Sequence, residues 1–282
     1  MKMRKLIVLC LVAILVFALA ACGGGGKKGA DSSGGITSPA DFPGHNIAVQ
    51  TDTTAAFSID KMIEEEGKKT IEVSRYEKVT YCFEDLAIGR VDAVYVDSVV
   101  AAYYTKGSDR YERIWLDSVG EPMGICLAKT SDKLAAAVEA AIDTMFFDGS
   151  MAEIANKHFG EDSTAGLRDV KSKPSIPSDF TTINSGTLMV GSEIGYPPME
   201  YTTDDGLENI GFDIDVAGRI GELLGLKVEF VNTAWDGIFF GLEKGEYDCI
   251  ISSVSITPER KQKYILTEPY VSNALCIVVQ AG

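Results

Sequence analysis

The chain has 282 residues, with 26 Lys and Arg against 41 Asp and Glu and a formal net charge of −15. Such acidity argues against nucleic acid or an anionic lipid surface as a partner, and the length allows one large domain or two lobes. With His45 and His158 the only histidines and no CxxC spacing among six cysteines, histidine catalysis and zinc binding have little to draw on, and no cofactor or metal is expected.

The N-terminus carries Lys2, Arg4 and Lys5 ahead of an apolar run that stops at Ala21, the layout of an export signal over residues 1–21. Leu19-Ala20-Ala21-Cys22 resembles a bacterial lipobox, which implies cleavage before Cys22 and acylation of its thiol. Residues 22–37, rich in glycine and serine, cannot bury a core and form a flexible tether. Without residues 1–21 the chain keeps 23 basic against 41 acidic residues, a net of −18. Cys82, Cys126, Cys249 and Cys276 lie in apolar contexts and are expected as buried thiols.

From there strands and helices alternate. Asn46–Gln50 is a short strand, Thr51–Thr54 a hydroxyl-bearing turn, and Ala55, Ile59, Met62 and Ile63 mark one face of a helix. Thr70–Tyr76 is a strand, Val79–Ile88 a helix, Ala93–Val96 a strand ending at Asp97, and Ser98–Lys106 a helix. Gly124–Lys129 forms a strand, Asp132–Phe147 a long helix closed at Asp148-Gly149, and a shorter helix runs to Phe159. Residues 160–186, polar and proline-bearing without periodicity, are a linker. Beyond it come a strand at Leu188–Ser192, a helix at Asp213–Leu224, a strand at Lys227–Val231, a helix at Trp235–Lys244 and a last strand at Ala274–Val279. The alternation predicts parallel sheets built of βαβ units.

An internal echo links the halves. Leu86-x-x-Gly89-x-x-Asp92 followed by Ala-Val-Tyr-Val-Asp97, and Leu242-x-x-Gly245-x-x-Asp248 followed by Cys-Ile-Ile-Ser252, share one frame 156 residues apart. Each runs from a helix end through glycine into a buried strand with a polar terminus, so two similar α/β lobes are expected with a ligand between them. The second terminus is the richer: Cys249-Ile250-Ile251 gives way to Ser252, Ser253 and Ser255, then Thr257 as N-cap, Pro258 at the first helical position and Arg260 in the first turn. Hydroxyls, helix-start amides and a guanidinium at the carboxyl end of a strand suit a small carboxylate. The bland alternatives are an arginine paired to a surface acid, Tyr196 and Trp235 as core aromatics, and Asp97 as a helix cap. The acidic runs Glu64-Glu65-Glu66 and Asp204-Asp205 are expected as solvated faces.

Glu193 to Tyr201 (EIGYPPMEY), Gly211 to Asp215 (GFDID), Trp235-Asp236-Gly237, Tyr247-Asp248, Ser252 to Arg260 (SSVSITPER) and Thr267 to Tyr270 (TEPY) resemble the N-terminal half of the extracellular amino-acid-binding proteins that serve ABC importers. Asn46 to Thr54, Gly89 to Asp97, Met123-Gly124-Ile125 and Phe147 to Gly160 resemble that family's C-terminal half, so the order is reversed, as in a circular permutation. The resemblance implies a two-lobed type II periplasmic-binding-protein fold, permuted, with one lobe over 38–123 and the other over 124–282. Residues 160–186 would then join the family's original termini, and a single covalent crossing near Ser118–Met123 would link the lobes.

It also implies site roles. Arg260 would hold the ligand carboxylate with Ser255, Thr54 and the neighbouring Thr53, and Asp97 the ammonium with Ser253. Tyr196 and Trp235 would flank the side chain, and Glu193 and Gln50 would set selectivity, favouring cationic over neutral polar amino acids and disfavouring acidic ones. Asp52 stands where the family usually has glycine, adding a negative charge near the carboxylate end. The implied function is a non-catalytic, lipid-anchored, monomeric receptor on the extracytoplasmic face of the membrane, delivering an amino acid to an ABC permease. The alternative is a cleft enzyme similar to cyclohexadienyl dehydratases, with Glu193 as general acid.

Overall fold

The computed structural model describes residues 35–65 and 67–282. The expected export signal and Cys22, most of the tether, and Glu66 lie outside the described residues.

Twelve strands are described. The first sheet holds β1 (Asn46–Gln50), β2 (Glu72–Tyr76), β3 (Ala93–Asp97), β4 (Tyr111–Leu116) and β12 (Leu275–Gln280), in the order β2-β1-β3-β12-β4. β1 pairs in parallel with β2 and β3, while β12 runs antiparallel to β3 and β4. The second sheet holds β5 (Cys126–Ala128), β6 (Thr187–Ser192), β9 (Lys227–Asn232), β10 (Cys249–Ile250) and β11 (Tyr264–Leu266), in the order β11-β5-β10-β6-β9. Here β6 is parallel to β9 and β10, and β5 is antiparallel to β10 and β11. A small ribbon pairs β7 (Tyr201–Thr202) with β8 (Asn209–Ile210).

Period-two side-chain alternation explains why the central strands carry almost no polar residues. Ile47 and Val49 of β1, Ala93 and Tyr95 of β3, and Leu275, Ile277 and Val279 of β12 feed one apolar cluster with Phe42 and Ile59. Ala48, Val94, Val96, Cys276 and Val278 point the other way, into a larger cluster that runs through Met123 and Val271 to Leu188 and Val190 of the second sheet. With both faces covered by apolar packing, these strands are near-continuous hydrophobic runs. The four cysteines Cys82, Cys126, Cys249 and Cys276 are buried free thiols, as expected from their contexts.

Strand β12 corrects the expected division of the chain. The reading of 124–282 as one contiguous lobe fails because Leu275–Gln280 inserts between β3 and β4 of the first sheet, pairing Cys276 with Val96 and Leu116. The chain therefore crosses between sheets twice, at residues 117–125 and 267–274, rather than once near Ser118–Met123. The two crossings are tied together: Met123 N–H donates to Val271 O at 3.2 Å, Tyr270 N–H to Met123 O at 3.0 Å, and Glu121 N–H to Asn273 O at 2.7 Å. The first lobe is thus 38–116 with 275–280, and the second is 126–266.

Residues 161–186 contain no helix or strand, in keeping with a linker, yet they are fastened to the second lobe. The Arg168 guanidinium donates to Glu139 at 2.5 Å, Asp143 at 2.6 Å and Pro269 O at 2.8 Å, while Ile176 and Phe180 pack on the apolar core. Among the described residues no helix is long and apolar enough to cross a membrane.

Candidate functional site

Both sheets point strand ends at one cleft. From the first lobe, β1 ends at Gln50 and leads through Thr53 into the helix Thr54–Glu64, where the Thr53 hydroxyl caps Ala56 N–H at 3.2 Å. β3 ends at Asp97. From the second, β6 ends at Ser192 and passes into Glu193 and Tyr196; β10 ends at Ile250 and leads through Ser252, Ser253 and Ser255 to the helix Pro258–Lys263. Thr257 caps that helix as expected, accepting from Arg260 N–H at 3.2 Å. Trp235 opens the helix Trp235–Lys244.

All ten side chains expected at a ligand site, Gln50, Thr53, Thr54, Asp97, Glu193, Tyr196, Trp235, Ser253, Ser255 and Arg260, line this one cleft, joined by Glu200 and Ser252. The walls leave about 20 Å³ between them, room for one water molecule. Three side chains donate hydrogen bonds across it. Gln50 Nε2 donates to both Glu193 oxygens at 2.8 Å, Tyr196 OH donates to Asp97 Oδ2 at 2.5 Å, and Trp235 Nε1 donates to Asp52 O at 3.0 Å. Asp52 does adopt the turn, with φ of 57°, and its carbonyl takes the indole.

The cleft is electrically polar. At one end the Arg260 guanidinium donates to Ser255 O at 3.0 Å and lies 5.4 Å from the Trp235 ring and 5.0 Å from the Phe239 ring, a geometry in which the π-faces hold the cation. No carboxylate among the described residues lies within salt-bridge distance of it, which leaves the pairing of Arg260 with a surface acid without support, and burial pushes its pKa down. At the other wall Asp97 accepts from Tyr196 OH and from Asn273 Nδ2 at 2.6 Å. Burial pushes its pKa up, opposed by those two bonds and by Arg260. Asp97 does not cap its helix: Ser98 N–H is taken instead by Asn273 Oδ1 at 3.0 Å. Burial raises the Glu193 carboxyl to about 7, against the Gln50 bond that lowers it.

Several residues that shape the site were not singled out from the sequence. Glu121, on the first crossing, is raised to about 7 by burial and by Asp97, with the Thr54 and Ser255 hydroxyls and Arg260 acting the other way. Asn273, on the second crossing, bridges Asp97 and the following helix. Ser252, already part of the polar strand end read from the sequence, accepts Glu193 N–H through Oγ at 3.0 Å and donates to Glu200 Oε1 at 2.6 Å. The signal available for Glu200 was its place inside EIGYPPMEY; nothing local marks Glu121 or Asn273. Among the described residues no group of three or more His, Cys, Asp or Glu could hold a metal.

Residues 188–282 match the family of bacterial extracellular solute-binding proteins, family 3. The L-cystine-binding protein TcyJ of Escherichia coli (strain K12) is 36% identical over 97 residues, 34% of this chain and 36% of that protein. The cyclohexadienyl dehydratase of Pseudomonas aeruginosa is 34% identical over 89 residues, 32% of this chain and 33% of that protein. Among solved structures, the arginine-bound form of domain 1 from TmArgBP is 31% identical with a TM-score of 0.30, over 34% of this chain and 80% of that one. The chain thus spans about a third of the length of the curated relatives it matches.

Proposed function

We propose, for a chain whose residues 188–282 match the bacterial extracellular solute-binding proteins, family 3, that it captures a polar amino acid between its two lobes and hands it to an ABC importer permease. The observation that carries this reading is an arginine that forms no salt bridge among the described residues, set against a carboxylate on the opposite lobe, both facing one cleft. An α-amino acid presents the complementary pair: its carboxylate replaces the missing partner of Arg260, with Ser255, Thr53 and Thr54 nearby, and its ammonium takes the place of Tyr196 OH at Asp97, with Ser253 beside it.

The side chain meets Glu193 and Gln50, between Tyr196 and Trp235. Glu193 repels an acid and attracts a guanidinium or ammonium, so cationic side chains are favoured over neutral polar ones. Because the cleft holds room for one water, a ligand enters only when the cross-cleft bonds break and the lobes part; it then supplies replacements for them on closure. A thermal-shift panel of the twenty amino acids tests the assignment. Stabilisation by arginine, lysine or glutamine is expected, and stabilisation by glutamate alone would refute it.

Three further parts belong to this reading. The lipobox supports a lipid anchor at Cys22 on the extracytoplasmic face; Cys22→Ser should release the protein from the membrane fraction. The reversed order of motifs supports a circular permutation, and with both crossings made within one chain the reading is of a single-chain monomer rather than a swapped dimer. Light scattering checks the latter. A second reading, a cleft enzyme like the dehydratase relative, draws on Glu193, a carboxyl near 7 in a closed cleft. We favour the receptor, since binding alone employs every polar cleft residue; turnover of a cyclohexadienyl substrate that is lost in Glu193→Gln would reverse that preference.

A further inference from the structure

At the floor of the cleft lie two acids that form no ion pair with any cation among the described residues. Glu200 is 1% exposed and Asp213 fully buried. Asp213 is in the first turn of the helix Phe212–Leu224, and each of its carboxylate oxygens takes one donor: Ser253 N–H at 2.8 Å on Oδ2 and Tyr270 OH at 2.8 Å on Oδ1. Glu200 Oε1 takes the Ser252 hydroxyl at 2.6 Å, but Glu200 Oε2, completely enclosed, meets no donor. Asp213 is its neighbour: Asp213 N–H donates to Met199 O at 2.8 Å, one residue before Glu200, and the adjacent Ser252 and Ser253 each hold one of the two acids.

An enclosed oxygen without a donor costs the desolvation of that atom, and two ionised carboxylates side by side without a counter-charge repel strongly in a dry site. One proton removes both penalties. Placed on Glu200 Oε2, it turns the orphan acceptor into a donor toward Asp213, whose negative charge the Ser253 amide and Tyr270 hydroxyl already stabilise. We propose that Glu200 and Asp213 hold one proton between them and that this pair positions the Ser252–Ser255 loop, the Glu193 backbone and the second crossing around the cleft.

The connections explain why a proton here reaches the site. Asp213 holds Ser253 at φ of 52°, a left-handed conformation that a serine keeps only when fastened. Ser252, held by Glu200, receives Glu193 N–H. Tyr270 belongs to the crossing at 267–274 and stacks on Phe212, with ring centroids 5.9 Å apart. The approach of these parts depends on Gly211, at φ of 134°, where a Cβ would fall 2.2 Å from Met199 O. Among the described residues the ionisable groups facing the pair are Glu193, Tyr196 and Tyr270, all acidic or neutral, and none of these offers a positive charge to replace the proton. Burial and Asp213 both push the Glu200 pKa well up, in the direction that retains the proton at neutral pH.

The positioning proposal rests on the cleft reading only for its effect on ligand, and the test separates the two. Gln at 200 copies the protonated acid, its amide donating to Asp213 and its carbonyl accepting from Ser252; Ala copies neither. The native pair is relaxed below the unfolded-state carboxyl pKa, where Glu200 is protonated in both states, and loses stability as pH rises, because folding must then hold a proton that the unfolded chain releases. Glu200→Gln should therefore match the wild type near about pH 4 and exceed it by about 2–4 °C in Tm near about pH 8. Glu200→Ala and Asp213→Asn should unfold earlier at both pH values. With L-arginine and L-glutamine as probes, calorimetry should find Glu200→Gln within about twofold of wild type and Glu200→Ala weaker by about tenfold or more. A Glu200→Gln protein that fails to fold, is less stable at about pH 8, or shows a pH-independent difference overturns the shared proton. Equal probe binding by Glu200→Ala and wild type overturns the positioning role. If neither probe binds any variant, the ligand reading falls while the pH–Tm comparison still decides the proton.

Discussion

The stretches 86–97 and 242–253 are built alike and end differently. In each, a helix closes on a left-handed glycine, Gly89 at φ 70° and Gly245 at φ 72°. In each, an aspartate then ties the start of the strand to its parallel neighbour: Asp92 N–H donates to Asn46 O and Asp248 N–H to Met189 O, both at 2.9 Å, while Asp92 Oδ2 takes Asn46 N–H and Asp248 Oδ2 takes Met189 N–H, both at 2.8 Å. The strands that follow end at the same cleft, one in the carboxylate of Asp97 and the other in Ser252 and Ser253 with Arg260 beyond. A repeated scaffold delivers two strand ends to one place, and the residues after the strand give the cleft its polarity. The chemistry resides in the departures from the repeat, as expected when function is set by side chains grafted on a common fold.

The largest test breaks that polarity. Truncating one partner of a desolvated charged contact typically costs roughly 2–5 kcal/mol, so Arg260→Ala or Asp97→Ala should weaken amino-acid binding by at least ~30-fold in calorimetry. Near wild-type affinity for either would mean that the two strand ends do not divide the ligand between them.

The scaffold residues should differ in a graded way. Asp248 is almost fully buried and also accepts Ile183 N–H at 2.7 Å, whereas Asp92 holds the single backbone amide of Asn46 with His45 Nδ1 at 3.4 Å and is partly exposed. Removing Asp248 leaves two amides without their acceptor, so Asp248→Ala should cost about 3 kcal/mol and Asp92→Ala about half of that in denaturant unfolding. Equal losses would remove the asymmetry.

Next in size is a pH effect at the cleft wall facing Gln50. Glu193 titrates at about 7, raised by burial, so below that pH a cationic ligand must first displace a proton to gain the ion pair. Affinity for arginine should therefore rise about tenfold between about pH 6 and about pH 8, and Glu193→Gln should flatten the profile. A neutral ligand such as glutamine should show a weaker slope.

Much of this architecture was legible because it is local. Apolar alternation located the buried strands, Thr257-Pro258 marked a helix start, and the echo exposed the two strand ends. What was missed is nonlocal. The run Leu275–Gln280 is apolar in either sheet, and only pairing with Val96 and Leu116 tells which one accepts it. The strand Tyr111–Leu116 carries Glu112 and Arg113 on a sheet edge, where exposed charges hide the pattern. Glu121, Glu200 and Asn273 resemble surface residues in sequence; their burial is produced by the crossings and loops folded over them.

The smallest expected effect probes the repeat itself. At Gly89 and Gly245 an added Cβ would meet nothing within 4 Å, so neither glycine is kept by crowding. Both are kept by backbone conformation, since φ near 70° is cheap for glycine and strained for alanine. Gly89→Ala and Gly245→Ala should therefore each cost roughly 1 kcal/mol, equal within error, and leave ligand affinity unchanged. Gly211→Ala supplies the contrast, because there the same change also drives a Cβ against Met199 O and must displace the loop that carries Tyr196 and Glu200. If Gly89→Ala and Gly245→Ala differed widely, or either weakened binding as Gly211→Ala should, the two helix ends would not be equivalent parts of a repeated scaffold.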